Sequence, residues 1–304
     1  MKNILFPLIF SICFTCNGQM KPSTGVIKHY EKFQSEFVAA RNVDVWLPDE
    51  YSEDEKFAVL YMHDGQMLFD AQTTWNKQEW QADETADQLI THGKTQKFII
   101  VGIESIAALR RTDYFPQKPF ESLPKKTIDS LYEISASINQ PMFDSKVNSD
   151  NYLKFIVTEL KPFIDKNFSV KTGRDHTFIA GSSMGGLISM YAICEYPAVF
   201  GGAACLSTHW PGLFSVDNNP IPNAFLEYLK THLPSPKNHK IYFDYGDQTL
   251  DALYAPFQKQ ADLIMEEKGF TAKNWQTKFF PGEDHSEKAW AKRLDVPFTF
   301  LLSK

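Results

Sequence analysis

The sequence predicts an α/β protein with a mostly parallel central sheet and helices on both faces of that sheet. Three observations lead to this prediction. Short apolar segments alternate along the chain with longer amphipathic segments, as they do in βαβ units. Most of the apolar segments lack polar–apolar alternation, which is typical of strands buried on both faces. The 304 residues suffice for one domain with a continuous core, and no linker or repeat divides them.

Seven segments are predicted to be strands. The first, 41–48, alternates polar and apolar residues and stops at Pro48, so we expect a half-exposed strand. The other predicted strands are 57–62, 98–103, 177–180, 202–206, 240–244 and 275–280. Apolar residues at helical spacing predict helices at 84–91, 151–167, 187–195 and 251–268.

One segment, 105–150, fits this alternation poorly. It contains Pro116, Pro119, Pro124 and Pro141, shows little periodicity, and is too long for a simple connection. Long excursions of this kind usually form lids or pocket walls. We therefore expect one domain with an irregular insertion over the sheet, where it would cover any site at the strand ends.

The chain begins with the pattern of a secretory signal peptide at 1–18. Lys2 precedes an apolar run of about eleven residues, which is shorter than the ~20 that a transmembrane helix needs. Cys16 offers an alternative, a lipoprotein signal with a lipid anchor at this residue. Either reading places the protein in the periplasm or outside the cell, without a transmembrane segment. Residues 19–40 would then form a lead-in to a catalytic domain at 41–304.

Charge and cysteine content narrow the class of protein. The net charge is −6 and no run of five or more lysine or arginine residues occurs, so the sequence predicts no nucleic-acid partner. The mature chain keeps Cys194 and Cys205, which we expect to be buried free thiols rather than a disulfide. No cysteine–histidine set has the spacing of a zinc site, and the sequence predicts neither a metal nor a cofactor.

A candidate nucleophile lies at Ser183. The segment Gly181–Gly186 has the G-x-S-x-G pattern, with a predicted strand before it and a predicted helix after it. Such a tight strand-to-helix turn needs small flanking residues and places the serine at a helix N-terminus, where an oxyanion is stabilised. Ser183 is therefore predicted to attack a carbonyl carbon.

The partners of this serine should follow it in the order acid, then histidine. His285 comes just after the last predicted strand and is the predicted base. For the acid we prefer Asp251, and Asp247 and Asp244 remain alternatives because all three lie at or after the end of one predicted strand. Asp251 also fits the structural role of a helix N-cap.

The remaining site residues come from strand ends and loops. Met184 N–H and Gln66 N–H are the predicted oxyanion donors, with Gly65 allowing a close approach of the chain. The residues expected to line the substrate pocket are His63, Trp80, His209 and Trp210.

Several of these motifs together resemble the putative-esterase family of α/β-hydrolases. That family includes feruloyl and acetyl esterases, enterochelin-type trilactone esterases, S-formylglutathione hydrolase and the mycolyltransferase antigens. The resemblance covers the chain from about residue 35 to the end. The motifs are 61–66 with Phe69 and Asp70, Trp80, Asp83-Glu84, 181–186, 244–246 and His285.

The resemblance implies an α/β-hydrolase fold, with Ser183 as nucleophile, His285 as base and Gln66 as an oxyanion donor. In many members the acid follows the strand-end glycine by about three residues, but here that position is Thr249. The implied function is a secreted serine carboxylesterase acting on small-molecule or oligosaccharide esters, such as acetyl or feruloyl groups on carbohydrates. The alternatives are an acyltransferase with the same triad and a non-catalytic carbohydrate-binding module.

Overall fold

The computed structural model describes residues 20–137 and 140–303. The predicted signal peptide, including Cys16, lies outside these residues. Ten strands are present in the described part of the chain. Their bounds are β1 Val26–Phe33, β2 Arg41–Leu47, β3 Ala58–His63, β4 Phe98–Ile103, β5 Ser135–Ser137, β6 Gln140–Pro141, β7 Thr177–Ser182, β8 Gly202–Leu206, β9 Lys240–Tyr245 and β10 Trp275–Phe279.

Eight of these strands form one central sheet in the order β1-β2-β4-β3-β7-β8-β9-β10. Strand β2 runs antiparallel to both β1 and β4, and every pairing from β4 to β10 is parallel. The carboxyl ends of six strands therefore meet at one edge of the sheet. The predicted fold class, an α/β domain with a mostly parallel sheet, is confirmed.

Strand β1 is an element that the sequence pattern did not predict. It pairs antiparallel with β2, from Val26 opposite Leu47 to Phe33 opposite Arg41, so part of the expected lead-in belongs to the sheet. None of its residues is fully buried. An edge strand contacts only one neighbour and needs no continuous apolar run, which explains its weak signal.

Helices connect most of the strands along the chain. They are α1 Ala82–Thr91, α2 Arg110–Tyr114, α3 Gln117–Glu121, α4 Lys125–Tyr132, α5 Ser149–Phe155, α6 Lys161–Asn167, α7 Met184–Glu195, α8 Ile221–His232, α9 Ala255–Glu267, α10 Glu287–Ala291 and α11 Asp295–Leu302. A π-helical turn at Ile156–Leu160 joins α5 to α6, so the predicted helix at 151–167 is one continuous helical run. Short 3-10 turns lie at Gly65–Met67, Arg174–His176 and Thr249–Leu253.

Two separate apolar cores lie on the two faces of the sheet. Alternate residues of β3 point to opposite faces, with Tyr61 in one core and Leu60 in the other. The first core packs under helices α5 to α9, and the second packs under α1 and α11. Helix α7 is buried along almost its whole length, which explains why its sequence is apolar on every side. Cys194 and Cys205 are buried free thiols, as expected.

The insertion at 105–150 contains three short helices, α2, α3 and α4, which the sequence analysis did not predict. They have 5, 5 and 8 residues, too few for a clear helical period. Pro116 and Pro124 lie directly before α3 and α4, so these prolines precede helices rather than interrupt them. Phe115, Phe120 and Phe143 pack ring against ring and fasten the insertion to the first core.

Residues 20–137 and 140–303 contain no candidate for a membrane-spanning helix. None of their helices combines the length and the apolar character that crossing a bilayer requires.

Candidate active site

Ser183 occupies the sharp turn between β7 and α7. Its backbone has φ 57° and ψ −120°, a conformation that is strained for any residue with a side chain. The turn is tight enough that a Cβ on Gly181 would lie 2.8 Å from the carbonyl carbon of Gly185. The Ser183 N–H donates to Leu206 O at 2.9 Å, which ties the turn to the end of β8. The serine is thus held at the carboxyl edge of the sheet.

His285 and Asp251 approach each other at the same edge. His285 Nδ1 lies 2.6 Å from Asp251 Oδ1. The backbone N–H of His285 donates to Thr249 Oγ1 at 3.0 Å, so the loop after β10 is tied to the turn that carries the aspartate. The Asp251 side chain is fully buried, whereas that of His285 is 14% exposed.

The second oxygen of Asp251 is held by two donors. Gly246 N–H donates to Oδ2 at 2.7 Å, and Ser207 Oγ donates to it at 2.6 Å. The Ser207 hydroxyl itself accepts from Trp290 Nε1 at 3.0 Å and from Arg293 Nη2 at 2.9 Å. Because buried carboxylates need hydrogen-bond partners, this arrangement satisfies Asp251 Oδ2 and fixes the direction of the carboxylate.

The two alternative acids lie elsewhere. Asp244 is buried beneath Asp251, where it accepts from Arg293 Nη2 at 3.0 Å and from Ser207 N–H at 3.0 Å. Asp247 is on the surface and accepts from Gly282 N–H at 2.8 Å. Of the three aspartates that the sequence offered, Asp251 is the one in contact with the His285 ring.

Gln66 lies in the 3-10 turn that follows β3. Gly65 is required there, since a Cβ would lie 2.6 Å from the carbonyl carbon of Gly102 in β4. The turn uses Met67 N–H and Leu68 N–H for its own hydrogen bonds, to Asp64 O and Gly65 O. The Gln66 side chain is bound to Ser105 through both its amide nitrogen and its oxygen, at 2.8 and 3.0 Å.

Met184 provides the other candidate donor. It is the first residue of α7, and the first N–H groups of a helix have no acceptor within that helix. The Met184 N–H therefore has no acceptor within α7, and the hydrogen bonds of the turn after β3 use the N–H groups of Met67 and Leu68 rather than that of Gln66.

A cavity of about 570 Å³ opens over these residues. Its wall includes Ser183 and His285, and three tryptophans contribute to it: Trp75, Trp80 and Trp290. The rings of Trp80 and Trp290 lie 5.3 Å apart, while Trp75 is 83% exposed. The volume is in the range of small-molecule sites. A second cavity, of about 640 Å³, lies at the opposite edge of the sheet near Gly201 and Lys240 and contains neither Ser183 nor His285.

Arg110 reaches this cavity from the insertion. Its guanidinium group binds both carboxylate oxygens of Asp64, at 2.7 and 2.8 Å. Burial raises the pKa of Asp64, but the charge and the hydrogen bonds of Arg110 outweigh this and hold that pKa below its usual range. The insertion thus contributes a paired charge to the cavity wall.

Of the four residues predicted to line the substrate pocket, one lies at the cavity and three are buried in the interior. Trp80 lines the cavity, but His63, His209 and Trp210 lie beneath it. His63 Nδ1 is 2.8 Å from Tyr152 OH, and burial lowers the pKa of His63 to about 3. Trp210 Nε1 donates to Gln258 Oε1 at 2.9 Å. A strand-end residue can face either the core or the opening, and the sequence pattern does not reveal which.

Three residues near the serine were missed by sequence reasoning as site residues: Tyr254, Ser207 and Trp290. The rings of Tyr254 and Trp290 both pack against the His285 ring. Their centroids lie 5.8 Å and 5.0 Å from the His285 ring centroid. The hydrogen bonds of the described residues do not include one from Ser183 Oγ to His285, whose Nδ1 is paired with Asp251. Catalytic hydrogen bonds are often long before substrate binds.

The sheet order and the serine turn define a serine hydrolase of the α/β-hydrolase fold. A model of the family described as "Putative esterase" matches residues 35–301, and the chain belongs to this family. It is therefore a serine esterase, that is, a carboxylic ester hydrolase.

Individual proteins that resemble this chain have low sequence identity to it. The uncharacterized protein YbbA of Bacillus subtilis (strain 168) is 24% identical over 272 residues, which cover 87% of this chain and 93% of that protein. An endo-1,4-beta-xylanase/feruloyl esterase of Xylanibacter ruminicola is 28% identical over 172 residues, 55% of this chain and 19% of that protein. A ferulic acid esterase from Anaeromyces mucronatus, solved with ferulic acid, is 18% identical with a TM-score of 0.61, covering 94% of both chains. This last likeness shows a shared fold.

Proposed function

We propose that the protein is an exported esterase that removes acyl groups, acetyl or feruloyl, from carbohydrates through an acyl-enzyme formed on Ser183. The observation that carries the proposal is the 2.6 Å contact between His285 Nδ1 and Asp251 Oδ1, beside the cavity that Ser183 also lines. A histidine oriented in this way by a buried carboxylate presents its other nitrogen to the serine as a base.

The first half of the reaction forms the acyl-enzyme. Ser183 Oγ attacks the ester carbonyl carbon while His285 takes the serine proton. The tetrahedral oxyanion accepts hydrogen bonds from the N–H groups of Met184 and Gln66, each worth about 3 kcal/mol in comparable sites. The bond to the alcohol breaks as His285 returns the proton to the leaving oxygen.

The second half releases the acid. Water replaces the alcohol, His285 takes a proton from it, and the resulting hydroxide attacks the acyl carbon. The bond to Ser183 Oγ then breaks and the serine recovers its proton from His285. Throughout, Asp251 stabilises the imidazolium form of His285 without taking its proton.

A carbohydrate ester is supported by the aromatic character of the cavity. Trp75 is 83% exposed at the mouth, where an aromatic face suits stacking on a sugar ring, and Trp80 and Trp290 line the interior. The Xylanibacter ruminicola relative joins a xylanase to a feruloyl esterase, and the Anaeromyces mucronatus enzyme was solved with ferulic acid. The signal-peptide pattern at 1–18 agrees with a substrate outside the cytoplasm.

The test uses the chain without residues 1–18. Hydrolysis of p-nitrophenyl acetate, p-nitrophenyl butyrate, methyl ferulate, acetylated xylo-oligosaccharides and feruloylated arabinoxylan oligosaccharides is compared, with Ser183→Ala as control. We expect serine-dependent turnover, with a higher kcat/KM for one of the two oligosaccharide esters than for its small counterpart. Turnover that survives Ser183→Ala contradicts the mechanism, and a preference for the small esters contradicts the carbohydrate substrate. Acylated sugar from added acceptors, in place of free acid, would identify a transferase.

A further inference from the structure

A glutamate on the wall of the active-site cavity has no part in the mechanism above. Glu287 is the first residue of α10, and it lines the same cavity as Ser183. Asn76 Nδ2 donates to Glu287 Oε2 at 2.8 Å. The amide of Asn76 is fixed in turn, because its Oδ1 accepts from Gln78 N–H at 3.1 Å. The carboxylate is therefore held at the wall of the cavity by a loop far away in the sequence.

The charges on this wall do not cancel. Among the described residues that line the cavity, Arg110 is the only lysine or arginine, and both oxygens of Asp64 bind its guanidinium group. The ion pairs of the described residues include none that joins Glu287 to a lysine or an arginine. Glu287 thus leaves the wall with a negative charge that no contacting cation balances.

The wall also presents acceptor oxygens that lack donors. Glu287 Oε1 accepts no hydrogen bond from the part of the chain that the structure describes. Gln78 lines the cavity as well, and its Oε1 is buried without a partner in that same part. Hydroxyl groups can donate to such oxygens, whereas a second carboxylate has no hydrogen to donate. The wall therefore suits a ligand that is rich in hydroxyl groups.

These features favour a neutral sugar over an acidic one. Trp75, the exposed aromatic residue at the mouth, precedes Asn76 in the chain, so a sugar ring stacked on it would lie on the side of the cavity where Asn76 holds Glu287. A neutral pentose or hexose can donate its hydroxyls to the carboxylate. A uronic acid would bring a like charge, and at the spacing of one sugar unit this repulsion lowers binding about tenfold in a partly solvated site.

We propose that Glu287, held by Asn76, is a specificity-determining residue that accepts hydrogen bonds from sugar hydroxyls and rejects uronic acids, so that the substrates are esters of neutral sugars. The inference rests on the proposed function, because it concerns the sugar that carries the acyl group. No bond to Glu287 forms or breaks in the reaction. The residue acts on which ester binds.

The test compares two esters that differ at one group. Methyl glucopyranoside and methyl glucuronopyranoside, each carrying a feruloyl group at the same hydroxyl, differ only in the hydroxymethyl or carboxylate group at C6, and an acetylated pair is tested in parallel. At low ionic strength we expect kcat/KM to be about tenfold higher for the neutral ester, with a smaller preference at high salt. Equal values, a preference for the uronate ester, or turnover of neither ester by enzyme that hydrolyses p-nitrophenyl acetate overturns the proposal.

Glutamate variants assign the preference to one charge. Glu287→Gln keeps the shape and an acceptor oxygen but removes the charge, so we expect most of the preference to disappear because kcat/KM for the uronate ester rises. Glu287→Lys should reverse the preference. The matched control is Glu283→Gln, which removes a charge that is paired with Lys292 outside the cavity and should keep the wild-type ratio. A wild-type ratio in Glu287→Gln, or an equal change in Glu283→Gln, overturns the proposal.

Failure of this inference can be told apart from failure of the proposed function. The function is judged by Ser183→Ala and by the preference of the wild type for oligosaccharide esters over small esters. If both results support it and Glu287→Gln keeps the wild-type ratio, only the role of Glu287 is wrong. If Ser183→Ala keeps its activity, or small esters are preferred, the proposed function fails whatever the ratio is.

Discussion

His285 and Asp251 contact each other at 2.6 Å although 34 positions separate them in the chain. The contact follows from the sheet, because β9 and β10 are parallel neighbours and the loops after them leave from the same edge. Gly246 and Ser207 hold the other carboxylate oxygen, so the aspartate cannot turn away from the histidine.

The strained backbone at Ser183 is expected to lower the free energy of unfolding. Its φ of 57° is strained for serine and alanine but not for glycine. We expect Ser183→Gly to be inactive yet about 1 kcal/mol more stable than Ser183→Ala, which keeps the strain. Denaturant unfolding of the two inactive variants measures the difference. Equal stability, or a more stable alanine variant, would contradict the idea of strain at the turn.

The aspartates provide a matched pair of substitutions. Asp251→Asn should lower kcat by about 10³- to 10⁴-fold, since it removes the charge that orients and stabilises the histidine. Asp247→Asn should stay within about twofold of the wild type, because Asp247 is on the surface and, among the described residues, its side chain accepts from Gly282 N–H and Gln248 Nε2 rather than from His285. Steady-state kinetics on p-nitrophenyl acetate measure the loss in kcat for each variant. Small losses for both would mean that another group orients His285.

Asp244 is expected to matter for stability. Its carboxylate and the Arg293 guanidinium group are both buried, with Nη2 and Oδ1 3.0 Å apart. Asp244→Ala removes the closer of the two carboxylates beside the buried Arg293 charge and leaves Asp251 Oδ2 at 3.9 Å, a change that we expect to cost about 3 kcal/mol of the free energy of unfolding. Urea unfolding should reveal this loss, and the surface variant Asp247→Asn serves as the control. A loss below about 1 kcal/mol would show that water reaches Arg293.

Trp75 is expected to contribute to substrate selection. Its side chain is 83% exposed at the mouth of the cavity and makes few contacts that folding would need. Trp75→Ala should raise KM for an oligosaccharide ester about two- to tenfold and leave KM for methyl acetate or p-nitrophenyl acetate unchanged. Trp75→Phe, which keeps an aromatic face, should restore part of the difference. If KM for the small esters rises equally, the residue does not act on the sugar.

Stability should respond to pH through Glu79. Burial, followed by the charges of Glu84 and Asp70, raises the pKa of Glu79 to about 7 from its ordinary value of 4.5. Between these two pH values the folded chain binds more protons at Glu79 than the unfolded chain does. The contribution of this residue to stability therefore falls as pH rises from about 4.5 to about 7 and is constant above that range.

The variant Glu79→Gln removes this titration. We expect it to be more stable than the wild type at pH 8 and no more stable at pH 4, because the wild-type residue is neutral at the lower pH. Unfolding curves at several pH values measure the difference in free energy of unfolding. A difference that does not change with pH would exclude Glu79 as its source.

The sequence by itself determined the parallel strands, the helix after Ser183 and the position of His285 beyond the last strand. These features depend on short-range properties: unbroken apolar runs, helical spacing and the small residues that a tight turn needs. The same properties are weak in the edge strand β1 and in the short helices of the insertion. Those elements are stabilised by the sheet and by Phe115, Phe120 and Phe143, and the sequence analysis missed them.

Only the tertiary structure decided which side chains from distant loops meet. Asp244 lies near the end of β9, and Asp247 and Asp251 follow that strand. Their separation into a buried ion pair, a surface residue and the His285 contact depends on Arg293, Gly282 and Ser207. His63 and Trp210 face the interior, whereas Arg110 and Trp290 reach the cavity. Local patterns fix where a strand ends, but the direction of each side chain beyond that end is set by the neighbours that folding brings to it.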